Sequence, residues 1–289
     1  MQSTYDPSSE DVGSIMLMEH LNLEIDDQLM GTLFYVVGLG LTRDPYNTVG
    51  LENMHVNIGQ SQVHLPTRGR QVLPGHVAIV MQDLPALRER LEMIKPRLDG
   101  TRFEFHDEAD YVAVTCPWGN EFRIYEAGTR FGNMTLGVPY VEFLTRPGTA
   151  AGIARFYDRV MGAPGTVVTE DGSTVAKVRV GRDQTFGFRE TSEEIPPYDG
   201  YHVAVYTANF SGPFNFLKER GLVSEEPRNS QFRFKDIVDP ETGEKVFTVE
   251  HEVRSLHHRQ WGRTLVNRTP DPARREAPPR ARPVASVTA

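Results

Sequence analysis

The chain has a single cysteine, Cys116, among 289 residues. No intramolecular disulfide can form, and a reducing, cytoplasmic setting is the expectation. Cys116 stands before Pro117 in an apolar stretch, which reads as a buried, inert thiol rather than a nucleophile. No apolar run approaches the roughly 20 residues of a membrane helix, and no secretory core follows the polar start, so no membrane partner is expected. Positive charge is also in deficit: 31 Lys and Arg face 39 Asp and Glu, a net charge of -8. That balance argues against a nucleic-acid partner, because phosphate binding wants a basic face. Gly38-Leu39-Gly40 sits in no phosphate-loop pattern, and neither a G-x-S-x-G elbow nor a C-x-x-C pair occurs. What remains is an ordinary globular composition, long enough for about two domains.

What is present is repetition. His76-Val77-Ala78-Ile79-Val80 returns as His202-Val203-Ala204-Val205-Tyr206. Phe34-Tyr35-Val36-Val37-Gly38-Leu39-Gly40 returns as Phe156-Tyr157-Asp158-Arg159-Val160-Met161-Gly162. The phrase Cys116-Pro117-Trp118-Gly119-Asn120-Glu121-Phe122 is echoed from Asp239 to Phe247. The pairs keep their order at a spacing of about 120 residues, which marks two copies of one unit.

Each copy is itself double. Residues 17–25 alternate as a strand, with Leu21, Leu23 and Ile25 on one face and His20, Asn22 and Glu24 on the other. A helical segment follows, ending near Gly38 and Gly40, and then strand-like runs at 54–58 and 62–65. The pattern restarts at 75–81, with an amphipathic helix over 84–98 and strands at 111–115 and 121–125. The second half reads alike: a strand at 140–145, a helix to Met161, strands to Phe188, then 201–207, a helix over 213–220, and strands to Glu252. The expected fold is α+β, built from four βαβββ modules in two tandem domains, 15–127 and 138–266. A linker at 128–137 joins them, with a disordered start at 1–14 and a disordered Pro- and Arg-rich tail at 267–289.

The openings His20-Leu21-Asn22-Leu23-Glu24-Ile25 and Gly75-His76-Val77-Ala78-Ile79, with the closing Pro117-Trp118-Gly119-Asn120-Glu121-Phe122-Arg123, resemble the vicinal oxygen chelate superfamily. That superfamily includes glyoxalase I, the bleomycin- and fosfomycin-resistance proteins and the extradiol dioxygenases. The resemblance covers roughly residues 17 to 253 and implies that each domain's sheet curls into a cup, with metal ligands from first and last strands of paired modules. Carried onto this chain, it gives Glu142, His202 and Glu250 in the second domain, with Phe186 at a fourth place. The first domain would offer His20, His64 and His76, with Arg123 where a glutamate is usual and able to hold an anionic substrate group. Because the tandem extradiol enzymes use their second domain, Glu142, His202 and Glu250 are the first choice.

Strand parity points to the same residues. Val141 and Phe143 leave Glu142 on the opposite face beside Tyr140, and Val203 and Val205 leave His202 facing with Tyr206. Phe247 and Val249 leave Thr248, Glu250 and Glu252 together, and Glu252 replaces Glu250 if a bulge shifts the strand. Two carboxylates and an imidazole suit Fe(II), Mn(II), Zn(II) or Mg(II), and Fe(II) is favoured. The competing reading is that Glu142 pairs with an arginine such as Arg179 or Arg189 and that His202 bonds a backbone carbonyl. Glu250, Tyr206 and Tyr140 are candidate catalytic groups, and Phe186, Phe188 and Arg123 candidate substrate contacts. His251, His257 and His258 are expected in a solvated turn past the last strand, where His257 and His258 could close over a cavity mouth. The expected function is a metal-dependent oxidoreductase of the dioxygenase kind on a small oxygenated molecule, with a homodimer allowed for. A glyoxalase- or epimerase-like lyase or isomerase and a metal-free ligand-binding or resistance protein are the alternatives.

Overall fold

The computed structural model describes residues 6–47 and 50–268. Four modules each run strand, helix, three strands. The first is β1 (Ile15–Asn22), α1 (Gln28–Gly31) continuing as a π-helical turn (Thr32–Gly38), β2 (Thr42–Arg43), β3 (Asn53–Ile58) and β4 (Ser61–Pro66). The second is β5 (Gly75–Met81), α2 (Leu84–Ile94), β6 (Glu104–Asp107), β7 (Tyr111–Thr115) and β8 (Glu121–Glu126). The third is β9 (Tyr140–Thr145), α3 (Ala150–Arg159), β10 (Gly165–Glu170), β11 (Ser173–Gly181) and β12 (Gln184–Glu190). The fourth is β13 (His202–Thr207), α4 (Ser211–Glu219), β14 (Val223–Arg228), β15 (Gln231–Val238) and β16 (Lys245–Ser255). The α+β expectation holds.

Local chemistry starts and stops these elements. The Asp27 carboxylate caps α1 by accepting from the amides of Leu29 and Met30, and Asp83 caps α2 through Ala86. Leu84, Leu87, Leu91 and Ile94 bury the inner face of α2 at helical spacing. Between β10 and β11 the turn residues Asp171 and Gly172 both take positive φ, as a two-residue hairpin requires.

The pairing of modules departs from the expected tandem domains. One eight-stranded sheet has the order β14-β15-β16-β13-β1-β4-β3-β2, and the other β10-β11-β12-β9-β5-β8-β7-β6. The first module therefore pairs with the fourth, and the second with the third. At the centre of each sheet the two opening strands run antiparallel, β1 beside β13 and β5 beside β9. The expectation had joined modules in chain order, one with two and three with four. Three connections, residues 67–74, 127–139 and 191–201, join the modules.

Apolar faces of both sheets and their helices form one continuous core. Helix α3 packs on β10, β11 and β12 and also reaches β15 and β16 of the other sheet. The buried Gln184 amide ties the sheets further, accepting from Met18 N at 3.0 Å and donating to Ser61 Oγ at 2.9 Å. The opposite, polar faces are the two cups. Residues 256–268 return across the first cup, where Arg263 meets the buried Asp44 at 2.7 Å and Asn57 donates to the Val266 carbonyl. The amino-terminal stretch expected to be disordered is held where it is described: Pro7–Glu10 form a 3-10 turn, and Ser14 bonds Gly162 and Ala208 through its backbone. Residues 1–5 and 269–289, which include most of the expected tail, lie outside the described residues. No helix among the described residues is long and apolar enough to cross a membrane.

Candidate metal centre

The register of each sheet defines four corners at the floor of its cup. In the first sheet, His20 pairs with Gln62 across the parallel β1–β4 ladder, and two residues further along β4 stands His64. By the same count His202 pairs with Glu250, and two residues further along β16 stands Glu252. The corners of the first cup are thus His20, His64, His202 and Glu252. In the second cup, His76 pairs with Glu121 and Tyr140 with Thr185, so the corners are His76, Arg123, Tyr140 and Gly187.

The first cup is rich in donors. His20 Nε2 and His202 Nε2 face each other at 3.3 Å, and the rings of His55, His64 and His20 stack at 3.5 and 3.7 Å between centroids. Potential ligand atoms of His20, His202 and Glu252 all lie within 4.8 Å of one another, as do those of Glu19, His20 and His64. Glu19 reaches the cup through irregularity in β1: the β1–β13 register slips between Met18 and His20, so Glu19 is the extra residue and shares the face of His20. Its carboxylate accepts from His20 Nδ1, which leaves His20 Nε2 with the lone pair. His64 Nε2 donates to Gln62 Oε1 at 3.0 Å, leaving Nδ1 free to accept. The Gln62 amide is itself fixed, because its nitrogen donates to Asp44 and Asn57.

Three carboxylates and three cations interleave around these imidazoles. Arg254, buried, donates to Glu19 at 2.8 Å and to Glu252 at 2.5 Å. Arg233 donates to Glu250 at 2.6 Å and also to Glu252, and Lys235 lies 3.5 Å from Glu250. Burial, reinforced by Arg254, holds the His20 ring well below the usual histidine range. Burial and the neighbouring His20 and His55 do the same to His64. His202 is pushed down to about 3 by burial and then by Arg233 and Arg254. All three are therefore neutral at physiological pH, the form that binds metal. Burial raises the Glu19 carboxyl against the opposing pull of Arg254.

This donor set fits a divalent ion. Two imidazole nitrogens each about 2.1 Å from one ion, at a tetrahedral angle, stand about 3.4 Å apart. A ligating histidine characteristically donates its other N–H to a carboxylate, as His20 does to Glu19. The second cup does not fit. Arg123 is a cation lying over the Tyr111 ring at 5.2 Å, Gly187 has no side chain, and Tyr140 bonds His76 and Tyr125.

The expected residues are thus regrouped. Glu142, the first choice with His202 and Glu250, lies in the other sheet, at the place Ala204 has in the first. It is held by two hydrogen bonds from Arg189 at 2.8 and 3.0 Å, the ion-pair alternative foreseen for it. His20 and His64 join His202 rather than His76. Glu250 stays beside His202, 4.0 Å from Nδ1, while the corner belongs to Glu252. Phe186 and Phe188 are not substrate walls. They lie on the apolar face, fully buried against Phe143 and Tyr157. Of the proposed tyrosines, Tyr206 lies in the first cup beside Arg254 and His258, and Tyr140 in the second. His251 is not past the last strand but within β16, buried and bonded to Tyr157 at 2.7 Å. His257 and His258 both border a cavity of the first cup. Cys116 is buried, and burial pushes its thiol up.

Glu19, His55, Arg233 and Arg254 were not foreseen. His55 had a signal: the two-residue turn Gly59-Gln60 pairs Ile58 with Ser61 and so sets His55 opposite His64.

No family model and no curated protein matches the sequence. Solved structures do match. One is a Bacillus subtilis protein provisionally named a dioxygenase, 15% identical, with a TM-score of 0.56 over 88% of this chain and 92% of that one. Another is glyoxalase I from Zea mays, 15% identical, with a TM-score of 0.53 over 84% of this chain and 93% of that one. At such identities the likeness is one of fold. The chain has the vicinal oxygen chelate fold, as four βαβββ modules paired into two eight-stranded sheets.

Proposed function

We propose that the chain is a metal-dependent enzyme acting on a small oxygenated organic molecule, with His20, His202 and Glu252 as ligands and His64 at the fourth corner. The observation that carries this is the pair of neutral imidazoles facing at 3.3 Å, His20 buried and His202 partly so, with His20 anchored by a carboxylate on its far side. Two imidazoles and one carboxylate are the composition of non-haem Fe(II) oxygenase sites with open positions, so a dioxygenase of vicinal diols is the favoured reaction. When bound, the metal would supply a Lewis acid and a template for two neighbouring substrate oxygens.

The chain's own groups do the rest. Arg233 and Arg254 grip Glu252 from two sides and fix its orientation, leaving lone pairs for a ligand. Glu250, more exposed than Glu252 and beside His202, is placed to take a proton from a substrate hydroxyl at its Oε1 or Oε2. The Tyr206 hydroxyl, 3.3 Å from His258 Nδ1 and 3.5 Å from Arg254, is a neutral donor in the same cup. A lyase or isomerase reading is favoured by one observation, the buried Glu19 carboxyl whose affinity for protons is raised.

Metal content of protein purified without added metal tests the proposal. About one equivalent of iron is expected, lost in His20→Ala, His202→Ala and Glu252→Ala and kept in His76→Ala. Oxygen uptake with catechol then separates the dioxygenase from the lyase reading. Absence of bound metal after reconstitution, with ligand variants behaving as wild type, would leave a metal-free binding protein as the better account.

A further inference from the structure

The returning segment splits the mouth of the first cup. Gln260, which accepts from Arg254 at 3.1 Å, borders a cavity on each side. One, of about 460 Å³, has Glu19, Tyr206, Trp261 and Leu265 on its walls. The other, of about 500 Å³, lies between the β14–β15 hairpin tip and the turn at 257–260. Its floor is Glu252 and Arg254, and its rim carries Arg228, His257 and Arg259. Both volumes suit a small molecule.

The second cavity is basic where the chain as a whole is acidic. Glu252 is the one carboxylate among its lining residues, and Arg254 and Arg233 already neutralise it. Arg228 is paired with Glu225 at 2.7 Å on the outer side, but Arg259 is exposed and has no ion pair among the described residues. A guanidinium at the rim of a polar cavity binds an oxyanion with two parallel hydrogen bonds. The same cavity ends on the carboxylate assigned above as a metal ligand.

We infer that the substrate is an anion: a small molecule whose oxygenated end lies at the His20–His202–Glu252 centre and whose carboxylate or phosphate is held by Arg259 and Arg228. This assignment of substrate class rests on the proposed metal centre only for the oxygenated end. The anion pocket stands on the cavity and its charges.

Binding measured by calorimetry tests the two parts separately. On chelator-treated protein the probe is benzoate. Wild type should bind it, and Arg259→Gln and Arg228→Gln should each weaken binding about fivefold or more, while Arg123→Gln in the other cup leaves it unchanged. On metal-loaded protein the probes are catechol and 3,4-dihydroxybenzoate. The acid should bind about tenfold more tightly, and Arg259→Gln should remove that preference without changing catechol affinity or metal content. Inorganic phosphate that displaces benzoate supports a pocket reading any oxyanion, and phosphate that fails to displace it supports one reading carboxylates. No benzoate binding by wild type, or binding indifferent to both arginines, overturns the anion pocket. If benzoate binding follows the arginines but no metal is retained, the metal centre fails and the anion pocket stands.

Discussion

Acid should unfold this protein through its histidines rather than its carboxylates. Burial holds His76 and His202 down at about 3, and His55 and His251 at about 4, against about 6.5 in an unfolded chain. A depressed value means the folded ring refuses a proton that the unfolded ring accepts. Between pH 6.5 and about 4 the unfolded state therefore binds more protons, and stability falls as the pH falls. From pH 7 to pH 5 each such ring costs about 2 kcal/mol at 1.36 kcal/mol per unit. Four together are comparable to the 5–15 kcal/mol that holds a typical domain folded. Asp44 and Asp239, both lowered, add a loss only below about pH 4. Thermal melts in chelator at pH 7, 6 and 5 should show the midpoint falling by on the order of 10 °C or the fold lost outright. His76→Gln, outside the proposed centre, should shrink that drop by about 2 kcal/mol, roughly 3 °C. A midpoint that stays flat between pH 7 and 5, or an unchanged slope in His76→Gln, refutes the reasoning.

Two further outcomes follow from particular contacts. Arg189→Met strands the buried Glu142 beside a neutral His76 and should cost about 3 kcal/mol in urea denaturation. Adding Glu142→Leu should recover most of it, and a double variant as unstable as the single one would show that the pair is not the cause. Gly59→Ala meets both a positive φ of 66° and the Leu136 carbonyl 2.1 Å from the new Cβ, at the junction of the sheets. A loss of about 3 kcal/mol is expected from strain and displaced backbone together, and a variant within 0.5 kcal/mol (~) of wild type would sink that reading.

The sequence carries the modules but not their partners. Alternation and helical spacing place the opening strands, the helices and most of the longer strands within a few residues, because each module solves its own burial problem locally; the short β2 and β6 are not among the strands they place. Which modules share a sheet depends on β5 meeting β9 rather than β1, a choice that the strand and helix patterns of single modules do not carry. The corners His20 and His202 follow from parity, and His64 from the family resemblance, once they are assigned to the right sheet. Glu19 does not, since a slipped register in β1 reverses its side. Phe186 and Phe188 were legible and misread: large apolar residues flanking Gly187 mark the core face of β12, not the cup.

The two cups differ in what their corners offer a metal. Corner side chains project away from the shared core, so replacing a ligand there disturbs little packing. His76, Arg123, Tyr140 and Gly187 occupy the places of His20, His64, His202 and Glu252 on strands of matching register. A Cβ on Gly187 would meet only ordinary contacts with Glu142, at 3.5 Å and beyond, so the backbone does not demand glycine there. The first cup is constrained differently: Glu19, Glu250 and Glu252 are held by Arg233, Arg254 and Lys235, and removing Arg254 would leave the buried Glu19 without its cation. That interlocked balance makes the donor set costly to lose, which is a physical reason to place the working centre between the first and last modules.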